Sequence, residues 1–259
     1  MSAALNILIG TPAYGALVTT KYLHTVIGLF TRFKDVFPDA KVSIKTFAMT
    51  AVDMARNLLA TAVLMDPKIS HLLFIDADMG CDPKLIFSML DLDKPVVGCI
   101  YPRRTLDLDR AVKMAAQVSS GDELQAVTND YVSPSLVAHP NGQGGFVVDV
   151  NDQGFTRVHA VGTGIMLIKR DVFVQMKRIP GLWIDDYESS GWAKGLLQCF
   201  KPMDNDRGIA MSEDMSFCRR WTEQCGGEIW ANVTESTTHV GTFAFKGRYE
   251  ERLKRDLVL

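Results

Sequence analysis

The chain has 259 residues, of which 47% are hydrophobic and 22% are charged, and its formal net charge at pH 7 is -2. A chain of this length and composition can bury the core of one large globular domain or of two small ones. The near-neutral balance excludes the strongly basic class of dedicated nucleic-acid binders, although a local basic patch is compatible with it.

The five cysteines are scattered and odd in number, and no Cys-x-x-Cys pair occurs. We therefore expect neither a disulfide framework nor a structural zinc site, and we predict a reducing, cytoplasmic compartment. The amino terminus lacks a charged region followed by a signal-type apolar run, and no apolar stretch approaches the ~18 residues of a membrane span. Secretion and a transmembrane helix are not expected.

The first predicted strand covers residues 6–10, and the first predicted helix covers residues 20–33. Pro12 and Gly15 mark the loop between them. Tyr14 lies in this loop, where it either stacks on a nucleobase or is a plain surface tyrosine. The inner face predicted for the helix consists of Tyr22, Val26, Leu29, Phe30 and Phe33.

An alternating strand is predicted at residues 42–47 and a second helix at residues 50–64. Thr50 with Asp53 resembles a capping box at the start of this helix. Arg56 lies one position away from the apolar stripe, where it either reaches a phosphate at the sheet edge or sits on a solvated flank. The predicted buried stripe consists of Val52, Ala55, Leu59 and Ala62.

Two carboxylates follow the most apolar short run of the chain. Residues 71–75 predict a buried strand, and Asp76 and Asp78 come directly after it. Ligands of open α/β sheets bind at the carboxyl ends of the strands, and such a pair can hold a hard divalent cation that in turn binds phosphates. The alternative is an acidic turn that simply closes the strand.

A strand–helix–strand unit continues from this point. Pro83 suits the first turn of a helix at residues 84–90, and a buried strand is predicted at residues 96–100. We expect this to be a βαβ unit with a right-handed crossover. Arg103 and Arg104 follow in a predicted loop, where they either contact an anion or face solvent.

The pattern blurs over residues 105–157 and returns with a strand at residues 158–168 that pauses at the Gly-Thr-Gly triplet 162–164. Paired glycines in a strand pattern indicate a bulge or a close approach to a ligand. Residues 183–200 form a long polar and aromatic segment that predicts a functional loop, because exposed aromatic rings pack well on sugars. The alternative is an apolar lid without sugar contact.

Glu213 and Asp214 open a predicted helix, where acidic residues also stabilise the helix dipole. A late strand is predicted at residues 228–233 and a C-terminal helix at residues 247–257. His239 lies between these two elements.

The order of these features resembles the GT-A glycosyltransferases, which use nucleotide-sugar donors. The matching residues are Asp76-Ala77-Asp78, Gly162-Thr163-Gly164, Ser212-Glu213-Asp214 and His239. Ala-Arg-Asn at residues 55–57 also resembles the small bacterial and viral members related to family 2. The resemblance implies an α/β fold of GT-A type, with a Rossmann-like, mixed and mostly parallel sheet flanked by helices. It implies one domain, with a nucleotide-binding half at 1–104 and an acceptor-binding half at 105–259.

The resemblance further implies Mn²⁺ or Mg²⁺ bound by Asp78, with Asp76 and His239 as additional metal ligands. Asp214 would be the general base of an inverting transfer, with Glu213 beside it as a catalytic or acceptor-gripping group; a retaining mechanism stays open. The donor, a nucleoside-diphosphate hexose of UDP type, would contact Thr11, Pro12, Ala13, Tyr14, Arg56, Asp76, Ala77, Gly162, Thr163 and Gly164. The acceptor would contact Trp183, Tyr187 and Trp192.

The acceptor hydroxyl is not specified by the sequence, and a glycan, a lipid-linked sugar, a protein or a modified nucleic acid are all compatible. Three other functions were weighed. A phosphatase of the haloacid-dehalogenase type carries Asp-x-Asp on its first strand, whereas residues 1–70 precede it here. A sugar-nucleotide pyrophosphorylase needs a glycine-rich loop that this chain lacks. A nucleotide-sugar binding module without turnover is the non-enzyme alternative.

Overall fold

The computed structural model describes residues 5–132, 136–141, 145–188, 194–241 and 244–256. Its strands are β1 (Asn6–Pro12), β2 (Lys41–Phe47), β3 (His71–Ile75), β4 (Met79–Cys81), β5 (Val96–Cys99), β6 (Pro102–Leu106), β7 (Asn129–Tyr131), β8 (Ala138–Pro140), β9 (Phe146–Val148), β10 (Phe155–Val158), β11 (Ile165–Lys169), β12 (Trp183–Glu188), β13 (Lys194–Leu197), β14 (Ile229–Asn232), β15 (Thr237–Val240) and β16 (Ala244–Gly247). Its α-helices are α1 (Thr20–Val36), α2 (Val52–Met65), α3 (Pro83–Leu92), α4 (Leu108–Met114), α5 (Gly121–Thr128), α6 (Arg170–Met176), α7 (Glu213–Arg219) and α8 (Tyr249–Asp256). Each described helix is too short or too polar to cross a lipid bilayer.

Seven strands form a central mixed sheet in the order β10-β14-β5-β11-β3-β1-β2. The strands β1, β2, β3, β5 and β14 point one way, and β10 and β11 run antiparallel to their neighbours. Five of seven strands therefore share a direction, and the predicted α/β class with a mixed, mostly parallel sheet flanked by helices is confirmed.

Helices cover both faces of the central sheet. Successive residues of a strand point to opposite faces, so each strand contributes to two apolar clusters. In β3, Leu72 and Phe74 belong to the apolar cluster shared with α2, whereas Leu73 and Ile75 belong to the cluster shared with α1 and α3. This explains the continuous apolar run that predicted the strand.

Helix α1 has the predicted position, but one residue of its inner face differs from the prediction. Phe30 is 41% exposed, and Thr25 is buried instead. The Thr25 hydroxyl donates to the carbonyl of Cys81, and the Cys81 N–H donates back, both at 2.9 Å. Thr25 thus lies on the inner face of α1 because it forms hydrogen bonds with the short strand β4, which the sequence did not predict.

Helix α2 is buried on more sides than an amphipathic stripe allows, because the sheet lies on one side and the β12–β13 hairpin on another. Val52, predicted in the buried stripe, is 38% exposed, and Ala62 is half-buried. The predicted capping box is wrong: the helix is preceded by Ala51, which makes no side-chain capping bond. Arg56 is 3% exposed, so the predicted solvated flank is wrong as well.

Three further predictions about connections are corrected. Strands β3 and β5 run in the same direction, but β11 lies between them and pairs antiparallel to both, so they are not adjacent. Arg103 and Arg104, predicted in a loop, lie on β6, which pairs with β7. The segment predicted as a long loop contains the β12–β13 hairpin, and Trp192 lies outside the described residues.

Candidate functional site

A cleft of about 720 Å³ lies at the carboxyl ends of β1 and β3. Its size falls within the range of ordinary small-molecule sites. The Asp-x-Asp turn forms part of its wall together with the loop after β1. The residues that line it are Pro12, Tyr14, Leu17, Val18, Thr19, Met49, Thr50, Val52, Asp76, Ala77, Asp78 and Arg104.

Backbone hydrogen bonds hold the Asp-x-Asp turn in place from both sides. The Asp76 N–H donates to the carbonyl of Gly164 at 2.9 Å, and the Thr19 N–H donates to the carbonyl of Ala77 at 2.8 Å. The Val240 N–H donates to the carbonyl of Asp78 at 2.8 Å. The turn is therefore fixed by β11, by the start of α1 and by β15.

Asp76 is bound by the buried arginine of α2. The two terminal nitrogens of Arg56 each donate to one carboxylate oxygen of Asp76 at 3.0 Å, which is a bidentate pair. The Nε of Arg56 donates to Glu213 at 3.3 Å, and its guanidinium lies 5.2 Å from the centre of the Phe74 ring. Arg56 thus joins the Asp-x-Asp turn to the first residue of α7.

This arrangement involves two residues with predicted roles, Arg56 and Asp76. Burial alone would lower the pKa of Arg56, but the Asp76 and Glu213 carboxylates outweigh burial and raise this pKa above its ordinary value. The guanidinium is fixed as a cation between two anions, so the predicted contact with a donor phosphate is not the one observed. Both oxygens of Asp76 are engaged by Arg56; the roles of Asp76 as a metal ligand and of Arg56 at a donor phosphate stay predictions.

Asp78 faces the cleft and has a different set of partners. Its Oδ2 lies 3.3 Å from Nε2 of His239 and 3.2 Å from Nη1 of Arg104. Burial would raise the pKa of Asp78, but the hydrogen bond and charge of His239 and the charge of Arg104 outweigh it, and this pKa lies below its ordinary value. Asp78 is therefore held as a carboxylate.

His239 reaches Asp78 because β15 pairs antiparallel with β4, which directly follows the turn. Its Nδ1 lies 2.9 Å from the carbonyl oxygen of Pro102. A carbonyl oxygen only accepts, so Nδ1 donates to Pro102, and this bond holds the ring with Nε2 towards Asp78. With a hydrogen on Nε2 the ring donates to the Asp78 carboxylate, and without it the Nε2 lone pair would be free to bind a cation at the same place. This is how proteins orient a histidine that binds a metal.

Two of the three residues that the resemblance implies as metal ligands lie next to each other. Asp78 and His239 bring one carboxylate and one imidazole nitrogen within 3.3 Å of each other, a pair that could supply two ligands to a divalent cation. Within the described residues, no group of three or more His, Cys, Asp and Glu side chains could hold a metal ion. Mg²⁺ sites of one or two protein ligands completed by substrate phosphates and waters are common.

The Gly-Thr-Gly triplet lies behind the Asp-x-Asp turn and does not line the cleft. All three residues are buried, and the hydroxyl of Tyr101 accepts from the N–H of Gly164 at 3.1 Å. A Cβ at Gly162 would lie 2.3 Å from the Tyr101 hydroxyl oxygen, and one at Gly164 would lie 2.6 Å from the ring. Glycine is required here for the approach of Tyr101; contact of Gly162, Thr163 and Gly164 with a donor sugar stays a prediction.

Asp214, at the start of α7, has an electrostatic effect on Tyr101. Burial raises the pKa of Tyr101 well above its ordinary value, and the negative charges of Asp76 and Asp214 raise it further. Asp214 accepts from the Ser212 hydroxyl and, at 2.8 Å, from the Met215 N–H. Among the described residues Asp214 forms no ion pair, in contrast to Glu213.

Of the four residues predicted to contact the donor at the end of β1, two line the cleft, and their contact with a donor stays a prediction. Pro12 and the 73% exposed Tyr14 line the cleft. Thr11 is fully buried and its hydroxyl lies 2.8 Å from that of Tyr22, and Ala13 is buried with its N–H on the carbonyl of Phe47. Ala77 lines the cleft as predicted for the Asp-x-Asp turn.

Trp183 and Tyr187, predicted to contact the acceptor, do not line this cleft, and Trp192 lies outside the described residues. Lys177 lies over the ring of Trp183 at 3.9 Å, and Trp183 donates to Asp185 at 2.6 Å. Tyr187 contacts Met54 of α2 and lines a separate cavity of about 290 Å³ between α2 and the hairpin. Their role at an acceptor stays a prediction.

Tyr101 was not assigned a role from the sequence, and for Arg104 the sequence left open an anion contact or a solvent-facing position. Tyr101 and Arg104 both follow β5, at the same edge of the sheet as the Asp-x-Asp turn. The available signal was a run of an aromatic residue and two arginines after a buried strand, which is typical of a strand end at a ligand site. The pairing of β6 with β7 turns Arg104 towards Asp78.

Fold and site together define an α/β protein with a mixed sheet and a carboxylate-lined cleft at its carboxyl edge. No protein-family model and no curated protein matches the chain. The solved structure of A197 from STIV is 14% identical over 92% of this chain and 86% of its own, with a TM-score of 0.44. GalNAc-T7 with UDP, GalNAc and Mn²⁺ is 11% identical over 92% of this chain and 37% of its own, with a TM-score of 0.37. HddC from Yersinia pseudotuberculosis is 11% identical over 97% of both chains, with a TM-score of 0.36. Similarities this low carry no argument about function.

Proposed function

We propose that this protein is a glycosyltransferase that moves a hexose from a nucleoside-diphosphate sugar, of UDP type, to an acceptor hydroxyl. The observation that supports the proposal is the cleft of about 720 Å³ whose wall includes Asp78, with His239 3.3 Å from the Asp78 carboxylate. A bound Mn²⁺ or Mg²⁺ would neutralise charge that develops on the departing diphosphate. Asp78 and His239 are the residues that would hold it.

The other residues of the site have supporting roles in this proposal. Pro12 and Tyr14 offer an apolar and aromatic wall for the nucleobase at the cleft mouth. Arg56 holds Asp76 and Glu213 in fixed positions, so that the turn and the start of α7 keep their relative geometry.

Asp214 is the proposed general base. The acceptor oxygen attacks the anomeric carbon and gives its proton to the Asp214 carboxylate, while the bond from that carbon to the diphosphate breaks and its electron pair leaves with the diphosphate. A single displacement of this kind inverts the anomeric configuration. The contacts of Asp214 with Ser212 and Met215 orient the carboxylate without a counter-cation.

Replacing Asp214 by asparagine tests the proposal. We expect Asp214→Asn to release nucleoside diphosphate from a panel of UDP-, GDP- and ADP-hexoses, with simple glycosides as acceptors, at least ~100-fold more slowly than the wild type. Mn²⁺-dependent nucleotide binding should be retained. Asp35→Asn, on the exposed face of α1, is the matched control. Full turnover by Asp214→Asn would remove it as the base, and binding without turnover in the wild type would favour the binding-module alternative.

The phosphatase alternative requires Asp76 as a nucleophile that attacks phosphorus. Both oxygens of Asp76 accept hydrogen bonds from Arg56, and this engagement reduces their nucleophilicity. The test is the hydrolysis of p-nitrophenyl phosphate by the wild type and by Asp76→Asn. Hydrolysis by the wild type that Asp76→Asn abolishes would favour the phosphatase and contradict the transferase.

A further inference from the structure

Arg104 reaches the cleft from strand β6, and Gly241 leaves room for its side chain. It lies on β6, and its side chain reaches Asp78 across the cleft wall at 3.2 Å. A Cβ at Gly241 would lie 2.6 Å from Cδ of Arg104 and 3.1 Å from its Cγ. The absence of a side chain at Gly241 therefore leaves the space in which the stem of Arg104 lies.

Arg104 is also the only cation among the described residues that line this cleft. Arg56, the other arginine of the site, is buried and bound to two carboxylates. The side chain of Arg104 is 54% exposed, and an exposed ion pair contributes little to stability, so Arg104 can exchange its partner at low cost. A planar guanidinium binds two oxygens of a phosphate at once.

We propose that Arg104 is the residue that binds the diphosphate of the donor, and that its pair with Asp78 is the arrangement of the ligand-free protein. Arg104 leaves Asp78 when that carboxylate takes part in cation binding, and its guanidinium then contacts the phosphate oxygens. This inference rests on the proposed function, because it assigns the diphosphate of that substrate to one residue of the cleft.

The experiment compares Arg104→Gln with Arg103→Gln by calorimetry. Arg103 is the adjacent residue of β6, has a similarly exposed side chain and pairs with Asp130 at 3.6 Å, so both variants lose the same charge. The probes are the diphosphates of uridine, guanosine, adenosine and thymidine in MnCl₂, followed by the free nucleoside of the one that binds. We expect Arg104→Gln to weaken diphosphate binding about tenfold or more and nucleoside binding not at all, and Arg103→Gln to behave as the wild type.

A titration with MnCl₂ alone separates a phosphate contact from an effect through Asp78. Arg104→Gln should bind Mn²⁺ as tightly as the wild type or more tightly, because a competing cation has left Asp78. Weaker Mn²⁺ binding by Arg104→Gln would overturn the inference, since Arg104 would then act by positioning the carboxylate.

Gly241→Ala provides a second variant in which Arg104 itself is retained. Its added methyl group pushes the stem of Arg104 away, and we expect diphosphate affinity to fall between those of the wild type and Arg104→Gln. Equal diphosphate affinity in the wild type and in Arg104→Gln would overturn the inference but leave the proposed function intact. A wild type that binds none of the diphosphates would contradict both.

Discussion

Arg56 is a buried cation that forms ion pairs with two carboxylates. Its exposed fraction is 3%, and it contacts Asp76 and Glu213 with three donors. Taking such charges out of water is unfavourable, and removing one partner leaves the others buried without compensation. The bridge is therefore a sensitive point of the site even if it touches no substrate.

We predict that Arg56→Met lowers the free energy of unfolding by about 3 to 5 kcal/mol, because Asp76 and Glu213 would lose their counter-ion. Urea unfolding measures the change. Arg56→Lys should recover only part of the loss, since an ammonium group cannot form the bidentate pair.

The matched control is Arg32→Met. Arg32 and Asp82 form a pair of similar length, 3.1 Å, but both side chains are 56% exposed. Its loss should cost less than about 1 kcal/mol. Equal effects of the two substitutions would contradict the claim that burial of the Arg56 bridge determines its contribution.

The partners of Arg56 could not be read from the chain, because Glu213 lies 157 positions away. The sequence pattern indicated that Arg56 lay near the apolar stripe of α2 and that the acidic residues lay at a strand end and a helix start. Which cation meets which anion depends on the packing of α7 against α2, and local periodicity carries no information about that packing. The same holds for Arg104, whose direction depends on the pairing of β6.

At the scale of elements, β3 links the core to the site and carries a titratable residue at its start. His71 lies opposite Lys169 of β11, and its Nδ1 lies 2.8 Å from the hydroxyl of Ser70. Burial, and then the charge of Lys169, lower the pKa of His71 to about 4. The folded protein therefore binds this proton less readily than the unfolded chain does.

A dependence of stability on pH follows from this shift. The folded pKa is lower than the unfolded value near 6.5, so stability is complete above pH 6.5 and falls as the pH drops towards 4. The shift corresponds to a loss of about 3 kcal/mol across this window. We predict that His71→Gln removes this part of the pH dependence, as measured by urea unfolding between pH 7 and pH 4.

His24→Gln, at an exposed position of α1, is the control and should retain the wild-type slope. Identical slopes in His71→Gln and the wild type would show that His71 does not titrate between these values.

Six of the seven strands of the central sheet coincide with predicted strands, whereas β10, which lies where the pattern blurs, and the order of the strands were not predicted. A fully buried strand has the same pattern in a parallel and in an antiparallel position. Strand β11 illustrates this, since nothing in residues 165–169 indicates that it lies between β3 and β5. Strand β4 was missed because three residues with a central glycine give no period.

At the scale of the whole molecule, the site is assembled from segments that are distant in the chain. Asp78 follows β3, Arg104 lies on β6 and His239 lies on β15. Arg104 and His239 both contact Oδ2 of Asp78. The resemblance implied the meeting of Asp78 and His239, and the antiparallel pairing of β15 with β4 accounts for it physically. The division into a nucleotide-binding half at 1–104 and an acceptor-binding half at 105–259 stays a prediction.

The central claim is that Asp78 and His239 bind a divalent cation that is shared with a nucleoside diphosphate in the cleft. Crystals soaked with MnCl₂ and the diphosphate that binds in calorimetry test it directly, through anomalous difference density at the manganese absorption edge. We expect one peak beside the Asp78 carboxylate and Nε2 of His239, with the diphosphate next to it in the cleft. A nucleotide bound elsewhere, or no manganese at Asp78, would contradict the account.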